Sequence, residues 1–120
     1  MEFTQAVRTV LLSKYAMFDG RAARSEYWWF VLFTFLVYIV IIIIAQISET
    51  LGGILYVVFA LGVVIPTIAV QVRRLHDTDR SGWWLLIALV PLVGGILLLV
   101  WYCTPGTPDE NRFGSNPLKA

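Results

Sequence analysis

The densest run of ionisable side chains in this sequence is Arg73-Arg74-Leu75-His76-Asp77-Thr78-Asp79-Arg80. On a helix, Arg73, His76, Asp77 and Arg80 recur at i, i+3, i+4 and i+7, so they share a face on which opposite charges pair. Asp77 would then sit between two arginines, and the planar guanidinium forks would suit a phosphate or carboxylate ligand. The competing reading is a solvated collar, in which the arginines mark topology and the acids limit their repulsion. His76 with Asp77 and Asp79 also contains the residue types of an acid–base pair or a metal site. A hydrolytic metal takes about three protein ligands. One His, one Cys and no second ligand cluster lead to the expectation of no metal, no cofactor and no catalytic constellation.

The elements that hold this run follow from where charge is missing. The chain has 120 residues, 58% of them hydrophobic and 14% charged, against about 45–50% and 25% in an ordinary soluble domain. No Asp, Glu, Lys or Arg occurs in residues 27–48, 50–72 or 81–108. Apolar runs of about 18 residues or more mark membrane-spanning helices. At 1.5 Å rise per residue, spans 27–47, 51–72 and 82–102 each reach about 31 to 33 Å, enough for a hydrocarbon core of about 30 Å. So short a chain cannot cover three all-apolar helices with protein, and lipid must do so. The expected fold is all-α: one polytopic membrane domain over 1–120, with three transmembrane helices and an amphipathic N-terminal segment, 1–25. A formal charge of +1 leaves no polybasic surface for nucleic acid.

Local signals refine this layout. Phe3, Val7, Val10, Leu11, Tyr15 and Phe18 lie near one helical face of residues 2–18, an amphipathic helix for the membrane interface or the underside of the bundle. The early charges break any apolar h-region, so the first span is expected to be its own insertion signal. Ser25 is the expected N-cap of that span, which starts near Glu26. A link of residues 48–53 makes spans one and two antiparallel neighbours. Pro66 in span two removes a backbone donor opposite the Gly62 carbonyl, so a bend is expected there. Pro91, Gly94 and Gly95 interrupt the third segment, and two readings stand: a kinked spanning helix with small residues at a helix contact, favoured here, or two half-helices that re-enter. Residues 103–120 form a turn-rich tail, three of whose residues are proline and two glycine.

Orientation rests on the basic residues. With the N-terminus cytoplasmic, Arg8, Lys14, Arg21, Arg24, Arg73, Arg74 and Arg80 lie inside, and Arg112 and Lys119 follow the third span outside. Tyr27-Trp28-Trp29 and Trp83-Trp84 then mark the inner interface and Trp101-Tyr102 the outer one, and Cys103 is on the opposite side from His76. Re-entry would instead gather all nine bases inside. Acids nearly balance bases on the inner side, so any lipid headgroup is expected to be held locally, through Arg73, Arg74 or Arg80.

Three separate stretches carry a family resemblance. Phe18-Asp19-Gly20-Arg21-Ala22-Ala23-Arg24-Ser25-Glu26-Tyr27-Trp28 resembles the opening motif of the domain-of-unknown-function 805 family of small bacterial inner-membrane proteins. Arg73-Arg74-Leu75-His76-Asp77 through Ser81-Gly82-Trp83-Trp84 resembles its central motif, and Asn111-Arg112-Phe113-Gly114 with Pro117 its tail motif. The resemblance implies an integral protein of the bacterial cytoplasmic membrane and no particular reaction. It also implies a packed polar assembly of Arg21, Arg24, Glu26, Arg73, Asp77 and Arg112, for which the tail would have to be inside. With Arg74, His76 and Arg80 these residues make the candidate polar cluster. The expected role is a membrane scaffold or interaction subunit, not an enzyme, with membrane lipids and a homo-oligomer or membrane-protein partner. The alternative is a subunit of an oligomeric transporter or channel, since three helices enclose no pore alone. A lipid-headgroup enzyme using His76 and Asp77 is the third reading.

Overall fold

In a computed structural model the regular elements of the described residues are all helices: α1 (Phe3–Arg8), a π-helical turn (Thr9–Ser13), α2 (Arg24–Ile47), α3 (Glu49–Asp77), a 3-10 helix (Gly82–Leu89), α4 (Val93–Cys103) and a short 3-10 turn (Pro117–Lys119). The structure describes residues 2–119, with the side chain of Lys119 outside the described part. The expected amphipathic helix over 2–18 is shorter. After one and a half turns it widens into the π-helical turn, where Lys14 N donates to Thr9 O at 2.8 Å, and Ala6 and Val10 are buried.

Ser25 does not cap α2. Ala22 N donates to Arg73 O at 2.9 Å, which pins the preceding residues against α3, and the helix begins at Arg24 with Ala23 as an N-cap that makes no side-chain bond. The link between α2 and α3 is not 48–53 but Ser48 alone. Its extended backbone turns the chain and its Oγ accepts from Leu51 N at 3.3 Å, while Gly52 lies so close to Ala45 that a Cβ would overlap it. Pro66 leaves α3 continuous. The Gly62 carbonyl that its missing N–H abandons is taken by Tyr15, whose hydroxyl donates at 2.6 Å.

Among the described residues α2 and α3 are the two helices long and apolar enough to cross a membrane, fewer than the three expected. At 24 and 29 residues they reach about 36 and 44 Å. Only 11% of the apolar window of α2 and 22% of that of α3 is buried within this chain. The expected third span, 82–102, is broken. Val90 before Pro91 is pushed to an extended conformation (φ −84°, ψ 111°). Leu92 then takes φ 66°, ψ −60° and Val93 N donates back to Pro91 O at 2.7 Å, a γ-turn. Gly94 sits at that tip with its Cα against the Ile87 carbonyl, where no Cβ fits, and Trp84 meets Trp101 edge-on at 5.7 Å near the base. Pairings of 87 with 94 and of 84 with 101 make an antiparallel hairpin. Each limb is about 16 Å long, half a hydrocarbon core.

Val10, Ala22, Tyr27, Phe30, Val70, Leu75, Leu98 and Tyr102 form the main core towards one end of the α2–α3 pair, and Val63 extends it to the middle of α3. The hairpin covers only that end. At the other, Ile42, Ile43, Ile47, Ile54, Val58 and Leu61 are exposed.

Candidate functional site

α3 ends in a Schellman turn. Asp79 N donates to His76 O and Arg80 N to Leu75 O, both at 2.9 Å, with Asp79 at φ 59°, a position that glycine usually fills and Asp tolerates through its short polar side chain. This ends the helical face expected to continue to Arg80. Arg80 swings away, its guanidinium 4.5 Å above the Trp101 ring. Asp77 is therefore not held between Arg73 and Arg80; Arg21 and Arg74 hold it instead.

Arg21 Nε donates to Asp77 Oδ1 at 2.9 Å and Arg74 Nη1 to Asp77 Oδ2 at 2.7 Å, all three side chains at most 5% exposed. The remaining four N–H groups of Arg21 go to backbone carbonyls: Asp109 and Gly114 from Nη1, Asp77 and Thr107 from Nη2. All five donors of the fork are thus used. Arg74 also donates to the carbonyls of Tyr102, Ala22 and Thr104. Arg73 pairs with Glu26, both buried, and gives Nε to Met17 O at 3.1 Å; its Nη2 is buried with no partner.

Three buried guanidiniums face two carboxylates, and the backbone offsets the difference. α3 and α4 both end here, and the last carbonyls of a helix carry its negative dipole end. Tyr102 O, Cys103 O and Thr104 O receive Arg74, Arg24 and Trp28 Nε1. The cluster is in this sense a shared C-cap.

The tail closes the assembly. Gly106 lies directly on the Asp77 carboxylate, where a Cβ would overlap its oxygens, and Thr107 N donates to Asp77 O at 2.8 Å. Asn111 Nδ2 donates to His76 O at 3.0 Å, and its Oδ1 accepts from Phe113 N at 2.9 Å. Phe113 stacks flat on His76 with ring centroids 3.9 Å apart, and Arg112 lies 4.8 Å over the Phe113 ring. His76 Nδ1 donates to Gly20 O at 2.8 Å, which leaves the imidazole joining the opening motif to the tail. Arg112 and Asp79 form an exposed pair at 3.3 Å.

The favoured sequence layout, with the tail across the membrane from Arg73, is overturned by these contacts. Residues 104–118 pack on the same end of the α2–α3 pair as residues 17–24, and Trp101 and Tyr102 lie beside Trp84 and Tyr27. Tail turn residues Gly106, Thr107 and Asn111 are cluster members that residue chemistry alone passed over; Asn111 was signalled only by the tail motif. Arg24 and Arg112 stand at the rim, while Arg21, Glu26, Arg73, Arg74 and Asp77 are buried.

Chemically, both oxygens of the Asp77 carboxylate are taken by guanidiniums, and a fork with every N–H engaged, as that of Arg21 is, has none left for a phosphate. Among the described residues no three His, Cys, Asp or Glu side chains converge for a metal ion.

A family model described as protein of unknown function (DUF805) matches residues 15–115. The chain is 44% identical over 118 residues to the inner membrane protein YhaH of Escherichia coli (strain K12), covering 89% of this chain and 92% of that protein. It is 43% identical over 107 residues to the inner membrane protein YhaI of the same strain, covering 89% and 91%. No solved structure matches. Both relatives are inner membrane proteins, which supports the bacterial inner membrane for this chain as well. A match that takes in the opening arginine, the α3 terminus and the tail turn, and so every arm of the buried cluster, means that the chain belongs to the DUF805 family.

Proposed function

We propose that this protein is a scaffold or interaction subunit of the cytoplasmic membrane, with α2 and α3 crossing the bilayer, the Gly82–Cys103 hairpin re-entering to mid-depth, and both termini cytoplasmic. One observation carries the reading: the donors and acceptors around Asp77 are spent on partners within the chain, so the polar cluster ties segments together and offers nothing to a substrate. In this reading the protein is not an enzyme, and His76 is a structural histidine stacked on Phe113. The orientation is supported by charge. Basic residues of the N-terminal segment, the α3 terminus and the tail gather at one end of the helix pair, while the turn at the other end carries only Glu49, the asymmetry of a cytoplasmic and an external face.

What such a protein presents is its exposed apolar helix pair, suited to lipids and to a second copy or another membrane protein rather than to nucleic acid. Mild crosslinking in native membranes is expected to give one reproducible homo-oligomer or heteromeric product; a strictly monomeric, partner-free chain overturns the reading. A second reading, a transporter or channel subunit, draws on the broken hairpin, because α4 begins at Leu92–Val93 in mid-membrane with a positive dipole end and no side-chain cap. Solute flux in vesicles reconstituted with the purified protein would favour it.

A further inference from the structure

The arginines from which a headgroup contact was expected are occupied. Arg73 and Arg74 are buried in carboxylates and carbonyls, and Arg80, half-buried, lays its guanidinium on Trp101 and gives Nη1 to Thr78 O at 3.3 Å. Arg24 is different. It stands exposed at the first position of α2, gives one Nη1 bond to Cys103 O at 3.2 Å, and has no carboxylate partner among the described residues. Beside it opens a groove of about 490 Å³ walled by Ser25, Trp28, Trp29, Leu32 and Cys103.

Arg24, Trp28 and Leu32 recur every four residues and so descend one face of α2. Over about 12 Å the wall passes from a cation, through an indole that belongs at a membrane interface, to an aliphatic side chain. That is the polarity profile of a phospholipid from head to tail. One feature adds to the polar end: Ala23 leaves the first-turn N–H groups of α2 without a side-chain cap.

We propose that this groove holds one anionic phospholipid of the cytoplasmic leaflet, its phosphate on Arg24 and one acyl chain along Trp28 and Leu32. Charge complementarity selects the anionic class, because a zwitterionic headgroup brings its own cation beside the guanidinium. The proposal rests on the membrane placement above, and alkaline carbonate extraction tests that placement separately: protein in the supernatant removes both, whereas protein in the pellet leaves the groove to stand or fall alone.

The test is lipid retention by the full chain, purified in mild detergent, titrated with phosphatidylglycerol or phosphatidylcholine and read by native mass spectrometry. The wild type is expected to keep one phosphatidylglycerol in preference to phosphatidylcholine. Arg24→Gln should weaken phosphatidylglycerol about fivefold, the attraction of one basic residue for an anionic surface, and leave phosphatidylcholine unchanged, while Arg24→Lys retains most of the preference. Leu32→Trp, which fills the slot and keeps the charge, should reduce retention of both lipids. Equal retention of phosphatidylglycerol by the wild type and Arg24→Gln, or no effect of Leu32→Trp, overturns the proposal. So does full displacement of the lipid by millimolar inorganic phosphate, which would mark an anion site without a chain slot.

Discussion

Asp77 concentrates the fold's dependence on single atoms. Its two oxygens bind Arg21 and Arg74, each almost wholly buried, and losing the carboxylate's charge leaves both guanidiniums without a counter-charge in a medium of low polarity. Breaking a buried ion pair costs about 3–5 kcal/mol. Asp77→Asn is therefore expected to lower the unfolding free energy, measured by titrating dodecyl sulfate into mixed detergent, by an amount in that range. Asp79→Asn is the matched control. Its partner Arg112 is 61% exposed and Asp79 itself 49% exposed, so the pair contributes at most about 1 kcal/mol, and Asn tolerates the left-handed backbone at residue 79 as well as Asp does. Equal losses from the two substitutions would show that burial does not govern this cluster. A second residue-level dependence is the Tyr15 hydroxyl on the carbonyl that Pro66 orphans. Tyr15→Phe should cost about 1 kcal/mol in the native background and clearly less in Pro66→Ala, where the restored N–H of residue 66 can return to Gly62 O. Additive losses in the double-mutant cycle would refute that account.

The elements divide into those whose causes are local and those whose causes are not. α2 and α3 follow from uninterrupted apolar runs in which the backbone can satisfy itself only as helix, so their existence can be read from residue types even through the β-branched stretch Ile39–Ile44. Their ends cannot. Ser25 has the chemistry of an N-cap, yet the start of α2 is set by the Ala22–Arg73 backbone bond, a contact between residues far apart in sequence. The end of α3 depends on Asp79 adopting positive φ, and the arginine face expected beyond it disappears with that single dihedral. Asp77's true partner, Arg21, likewise comes from another segment. In the hairpin Pro91, Gly94 and Gly95 are signals of a break, but small residues suit a close helix contact equally well and favour a kinked span over two half-helices. What decides is the tail: Gly106 and Thr107 fit Asp77 only if the chain comes back. The turn that brings it back is strained, with Leu92 at φ 66° and its side chain 78% exposed. Leu92→Gly removes a backbone strain of about 1–3 kcal/mol, at an entropic cost of about 0.5–1 kcal/mol in the unfolded chain, and buries nothing less. A net gain of about 1 kcal/mol in unfolding free energy is expected, and a loss would mean that the Leu92 side chain anchors the tip.

At the scale of the whole molecule, the long dimension of 50 Å exceeds a hydrocarbon core of about 30 Å by about 20 Å, and in the proposed placement that excess would take the buried ion pairs, which lie at one end, clear of the acyl chains. Burying three guanidiniums is then a matter of protein enclosure at the membrane face, achieved by the N-terminal segment, two helix C-termini and the tail together. This assembly fixes which parts of the chain share a side. Cys103, exposed beside Arg24, and Ser13 in the N-terminal segment must show the same accessibility, and Ile47, 86% exposed at the far end of α2, the opposite one. With an impermeant maleimide on intact cells, Cys103 in the native chain and Ser13→Cys in a Cys103→Ser background should stay unlabelled until the membrane is permeabilised, while Ile47→Cys in that background labels at once. The pairing of Cys103 with Ser13 holds whichever face is cytoplasmic, because it follows from the tail's contacts with Arg21 and Asp77; labelling of Cys103 together with Ile47→Cys would mean that residues 82–102 cross the membrane after all and that the buried cluster cannot form.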